Sequence, residues 1–164
     1  MDLRFRYPKL LTFHADSVWD GKTGGTATIS QGRKIAFDTP ETFGGMGKGI
    51  CPDELFVSAI LGCLNNTFLD FQTGFDIQLV LLNLQGKATV GFDGRGYIIT
   101  DITVSGEIVV EKGEMKIGER CLELMKEYCH LTRTIRNCIP IHFNISVNEE
   151  KDVGKLDTFE RPLV

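Results

Sequence analysis

Between Leu55 and Phe71 apolar side chains fall on nearly every side of a helix drawn through the chain, interrupted only by Ser58, Gly62, Asn65, Asn66, Thr67 and Asp70. A helix that is apolar most of the way round belongs in an interior. Its start is marked by Pro52, tolerated in a first helical turn, and by the carboxylates of Asp53 and Glu54 at the positive end of the dipole. Gly74 supplies a stop. A helix from about 53 to 72 spans on the order of 30 Å, which is long for a chain of 164 residues. It therefore needs cover from more than one sheet or from a second subunit. The apolar run is cut at Asn65 and Asn66, short of the length that a membrane span requires. Within it lies Cys63, ten residues after Asp53.

The flanking segments read as strands and a second helix. Residues 9 to 38 give short strands, with turns at Trp19-Asp20-Gly21, at Lys22 to Gly25 and at Gln31-Gly32. Pro40 to Gly49 follows as a loop. Its glycines match neither phosphate-binding pattern, because Gly49 stands where a Ser or Thr is needed and Ile50 where a third Gly is needed. Leu82, Leu84, Ala88, Val90 and Phe92 alternate with polar residues, as do Ile98, Ile102, Val104, Ile108 and Val110. Asp93-Gly94 between the two runs signals a hairpin. Glu114 to Tyr128 is an amphipathic helix with Ile117, Cys121, Leu124, Met125 and Tyr128 on its apolar side. A short helical piece from about Leu131 to Asn137 precedes a last alternating strand, Ile141 to Val147. The order predicts an α+β fold with an antiparallel sheet, formed as a single domain over residues 1–164.

Composition bounds the function. A net charge of −4 gives no general affinity for nucleic acid or for an anionic membrane. Met1 to Pro8 lack the apolar core of a signal peptide, so a cytoplasmic location is expected. The five cysteines, at 51, 63, 121, 129 and 138, include no C-x-x-C pair and no zinc-ligand spacing. No metal and no cofactor is expected. In a reducing compartment these are free thiols or redox-active ones. Cys121 lies on a helix stripe and reads as core, and Cys138 borders the last strand and reads as packing.

The element order and two cysteine neighbourhoods resemble the OsmC/Ohr family of thiol-dependent hydroperoxide reductases. Pro52-Asp53-Glu54-Leu55-Phe56 leading to Gly62-Cys63 is similar to the family's N-P-E-x-L-F segment and its reactive cysteine. Cys129-His130-Leu131-Thr132 stands where the family carries C-P-x-S, before the last strand. Trp19-Asp20-Gly21 and Pro40 to Gly45 echo the family's N-terminal half. The resemblance covers roughly residues 9 to 148. It implies an intertwined homodimer, with sheets wrapped around long central helices. It also implies reduction of an organic hydroperoxide or hydrogen peroxide in oxidative-stress defence. Cys63 would pass through a sulfenic acid to a Cys63–Cys129 disulfide, which a small-molecule or protein dithiol reopens, and Asp53 would be the site's acid.

The attacking species in such chemistry is the thiolate, and a mid-helix cysteine gains nothing from the dipole's positive end. The family places an arginine in its N-terminal strands, held by the acid that Asp53 matches. The corresponding stretch here, Asp20 to Gly25, contains no arginine, and Lys22 is its cation. His130 replaces the Pro of C-P-x-S and Thr132 its Ser. Arg133, four residues after Cys129, would share a helix face with it. Lys22, His130 and Arg133 are therefore the three candidates for the missing charge. A second functional class stays open: a non-enzymatic dimer of the same fold that binds an apolar small molecule or senses redox state.

Overall fold

The computed structural model describes residues 9–151. The chain forms two compact units, one running to Phe56 and the other beginning at Val57. The fold is α+β, as the element order predicts.

The first unit is an antiparallel meander of β1 (Asp16–Trp19), β2 (Gly24–Thr28) and β3 (Lys34–Asp38), with β2 in the middle. The predicted turns close it. Gly21 has φ +83° between β1 and β2, and Gln31 and Gly32 have φ +64° and +71° between β2 and β3. Asp38, 2% exposed, ties the glycine-rich loop to this sheet. Its carboxylate accepts from Thr23 Oγ1 at 2.7 Å, from the Thr39 N–H at 2.8 Å and from the Lys48 N–H at 2.9 Å. Those donors hold its carboxyl below the usual carboxylate range, the Lys48 N–H most of all. Gly49 lies so close to β3 that a Cβ would stand 2.6 Å from the Phe37 carbonyl carbon. Packing against a strand accounts for this glycine without any phosphate.

Helix α1 (Pro52–Phe75) opens on a reciprocal cap: the Cys51 carbonyl accepts from the Glu54 and Leu55 N–H groups, while Glu54 Oε2 accepts from the Cys51 N–H at 3.2 Å. The helix runs through Gly74 and stops instead at Asp76, which takes the left-handed conformation at φ +55°. Asp tolerates that region through its short polar side chain. The helix is less enclosed than its composition suggests. Only the stripe of Ile60, Leu64, Phe68 and Phe71 is buried, while Leu69 and Phe75 are 37% and 45% exposed. The chain thus covers one face of a helix that is apolar nearly all round.

In the second unit β4 (Leu79–Phe92) and β5 (Tyr97–Val110) form the predicted hairpin, closed by Gly94 at φ +95° and by Asp93 Oδ1 accepting from the Arg95 and Gly96 N–H groups. Strand β5 is central and inward-facing at Ile102, Val104, Ile108 and Val110, all fully buried. The last strand, β6 (Ile141–Glu149), departs from the all-antiparallel expectation, since it pairs with β5 in parallel, Ile102 opposite Ile141 and Val104 opposite Phe143. The crossover through α2 (Met115–Tyr128) and α3 (His130–Ile135) supplies the long connection that parallel neighbours need. Helix α2 buries Gly118, Cys121, Leu122, Leu124 and Met125. Ile117, expected on that stripe, is 41% exposed, and Leu122 takes its place. At Gly118 a Cβ would stand 3.0 Å from Val147 of β6 and 3.2 Å from Val110 of β5, so the absence of a side chain lets α2 settle onto the sheet. Among the described residues no helix is long and apolar enough to cross a membrane.

Candidate active site

Two helical stripes run out at the same place. On α1, Cys63 sits beside the buried Leu64 at the margin of the stripe and is half-buried. On α2, the i, i+4 series Cys121, Met125 continues to Cys129, which is fully buried. Phe71 of α1 and Tyr128 of α2 pack edge to face, with centroids 5.6 Å apart, and pin the two helices together next to the cysteines.

Cys129 Sγ lies 3.0 Å from Cys63 Sγ, and both thiols are free. A disulfide needs about 2.05 Å, so roughly one ångström of approach separates this dithiol from a covalent bond. At Cys129 the backbone leaves the helical region (φ −57°, ψ 112°), which ends α2 and starts α3 in a new direction. His130, the first residue of α3, places Nδ1 3.4 Å from Cys63 Sγ. Thr132, buried, donates from Oγ1 to the Cys129 carbonyl at 3.1 Å and fixes this corner.

Burial pushes the Cys63 thiol up from its ordinary pKa, and the neighbouring Cys129 thiol pushes it further. The Leu131 N–H and the Thr67 hydroxyl act in the opposite direction by hydrogen bonding to the sulfur. The single Thr67 O–H, one turn after Cys63, has the Cys63 carbonyl as its other acceptor, at 2.8 Å. Sequence reading gave Thr67 no role. The available signal was its i+4 spacing, since a helical Thr commonly bonds back to the carbonyl one turn earlier.

The other predicted site residue, Asp53, is exposed in the first turn of α1, where Oδ2 lies 3.8 Å from the Cys51 thiol. Arg133 is exposed, and its backbone N–H bonds the Cys129 carbonyl at 3.0 Å, but its side chain makes no hydrogen bond to either sulfur. Lys22 is exposed in the β1–β2 turn, its N–H donating to Asp20 Oδ1 at 2.7 Å. Of the three candidate cations, His130 is the one in contact with Cys63. Among the described residues no group of three or more His, Cys, Asp or Glu side chains is arranged to hold a metal ion.

The chain is thus an α+β protein that brings two free cysteines together at the junction of two helices. The model of the OsmC-like protein family matches residues 45–144, and the chain belongs to that family. Solved structures agree in fold. The organic hydroperoxide resistance protein OsmC from Legionella pneumophila superposes with a TM-score of 0.67 at 17% identity, covering 86% of this chain and 99% of that one. An organic hydroperoxide resistance protein from Elizabethkingia anophelis gives 0.67 at 15% identity over 88% and 100%. The organic hydroperoxide resistance protein OhrB of Bacillus subtilis gives 0.60 at 14% identity over 83% and 98%. No curated protein matches the chain.

Proposed function

We propose that this protein reduces hydroperoxides with the Cys63–Cys129 dithiol, as a homodimer. The 3.0 Å contact between the two sulfurs carries the reading. Cys63 sulfur attacks one peroxide oxygen, the O–O bond breaks, and the remaining half leaves as an alcohol or as water. The sulfur, oxidised by two electrons, becomes a sulfenic acid. The Cys129 sulfur then displaces that hydroxyl as water and forms the disulfide. An external dithiol restores both thiols by exchange and is itself oxidised. A resolving thiol already in contact favours this outcome over further oxidation. The apolar surface that α1 leaves uncovered, including Leu69 and Phe75, supports pairing with a second copy.

The non-enzymatic alternative, a dimer that binds an apolar ligand or senses redox state, draws support from the lack, among the described residues, of a guanidinium hydrogen-bonded to Cys63. One experiment separates them. Purified protein is mixed with an organic hydroperoxide or hydrogen peroxide and a dithiol, peroxide loss is followed, and disulfides are mapped by mass spectrometry. The expected result is catalytic turnover, abolished by Cys63→Ser, with a Cys63–Cys129 bond trapped when the dithiol is withheld. Absence of both turnover and that bond selects the alternative. Sedimentation of the same sample at graded concentrations tests the dimer.

A further inference from the structure

We propose that His130 is the general base and proton donor of this site, taking through Nδ1 the place that an arginine would otherwise fill. The inference rests on the reading of Cys63 as nucleophile and names the group that activates it. Cys63 Sγ and His130 Nδ1 are 3.4 Å apart, within reach of a hydrogen bond involving sulfur. This contact is built into the backbone. The break at Cys129 reorients the chain between α2 and α3, so that a residue directly after the buried cysteine faces the thiol of α1. A proline at this position, as in the C-P-x-S pattern, has no group able to accept a proton.

The surroundings make the base necessary. Among the described residues, the groups bonded to Cys63 are the Cys129 thiol, the Thr67 hydroxyl and the Leu131 N–H, in addition to the imidazole. The two neutral donors can stabilise a thiolate but cannot remove its proton, and Cys129 is itself a thiol. Arg133, on the same short helix, is exposed and bonded to neither sulfur. Imidazole is therefore the proton acceptor at hand, since its neutral form carries one unprotonated ring nitrogen. Acceptance at Nδ1 requires the tautomer with its proton on Nε2.

The proton balance closes. As Cys63 attacks, its thiol proton moves to Nδ1 and gives imidazolium. The S–O bond forms, the O–O bond breaks, and the departing alkoxide takes that proton and leaves as the alcohol. His130 returns to its neutral form, ready to receive the Cys129 proton in the condensation that releases water. Two electrons pass from sulfur to peroxide, and the dithiol later replaces them.

The test uses the full-length reduced protein and two readouts. Alkylation of Cys63 by iodoacetamide, followed peptide by peptide in the mass spectrometer, reports its activation independently of any peroxide. The Cys63 rate in the native protein should show a pH limb that belongs to the Cys63–His130 pair. In His130→Ala that limb should vanish, with a loss of roughly 100-fold at neutral pH, the lower end for a positioned general base. His130 is exposed, so its replacement removes no buried packing, and His130→Gln provides a second neutral variant that must behave in the same way. Peroxide consumption should fall in step. An unchanged Cys63 pH profile in both variants overturns the proposal. A lost limb together with no peroxide turnover in the native protein keeps the Cys63–His130 pair and removes the peroxidase reading instead.

Discussion

Gly86 of β4 tests how closely α1 lies on the sheet that frames the dithiol. A Cβ added there would stand 2.5 Å from Val57 Cγ1 and 3.2 Å from Leu61 Cδ2. Carbon atoms settle at about 3.5–4.0 Å, so the Gly86→Ala change demands about an ångström of withdrawal by the helix or a rotamer change at Val57. Val is stiff at χ1 and gives way poorly. In an uncrowded strand the same substitution would stabilise, because Gly costs roughly 0.5–1 kcal/mol against Ala. The sign is therefore diagnostic. Overpacking of this kind costs about 1–3 kcal/mol, which at roughly 2–4 °C per kcal/mol for a chain of this size lowers Tm by about 2–12 °C. Thermal melts of the single variants and of Gly86→Ala/Val57→Ala complete a double-mutant cycle. Removing Val57 Cγ1 should relieve the clash, so the double variant should exceed the additive sum by about 1 kcal/mol. A Gly86→Ala protein that melts at or above the native temperature, or a cycle that is strictly additive, refutes the close helix–strand approach.

Other consequences are equally direct. Phe68, fully buried on the α1 stripe, should cost about 3–5 kcal/mol on replacement by Ala, read from urea unfolding. Asp38 has its folded pKa depressed by the Lys48 N–H and the Thr23 hydroxyl. Its stabilisation is thus fully present above the unfolded value of about 3.9 and is lost as pH falls through the lower folded value. Asp38→Asn should flatten that acid limb in melts taken across acidic pH, and a limb of unchanged slope would count against the role. Cys121 is buried, and burial raises its thiol to about 11. It should resist iodoacetamide at neutral pH until the protein unfolds, whereas Cys138, exposed rather than packed as its place beside the last strand suggests, should label in the folded protein.

The parts of the fold that sequence revealed are those in which a local pattern has one structural solution. Asp93-Gly94 demanded a tight turn, and Gly94 adopts the positive φ that such turns use. The alternation through Ile102, Val104, Ile108 and Val110 could only be one face of a strand, and all four are buried, whereas Ile98, expected on the same face, is 48% exposed beyond the register shift between Thr89 and Val90. Where a pattern has two solutions, the structure chose the other. Gly74 and Asp76 can each end a helix, and the left-handed residue is Asp76. Ile117 and Leu122 both border the α2 stripe, and Leu122 is the one buried. The direction of β6 leaves no trace in periodicity, because alternation reads the same both ways; the crossover through α2 and α3 decides it.

The site divides along the same line. Cys63 could be placed within an apolar helical run from sequence, and Cys129 directly after the end of the amphipathic helix at Tyr128. The 3.0 Å between their sulfurs depends on how two helices pack, which no spacing encodes. The choice among cations shows why. Arg133 was nominated by the rule that helical residues four apart are neighbours, but that rule assumes helical dihedrals at both positions. Cys129 has ψ 112°, so it precedes the helix rather than belonging to it, and the side-chain adjacency does not follow although the backbone bond from Arg133 forms. The same non-helical residue is what turns His130 to Cys63. One dihedral thus withdraws the arginine from the thiol and presents the imidazole, and it makes the residue after Cys129, rather than the residue one turn later, the position at which substitution should retune the nucleophile.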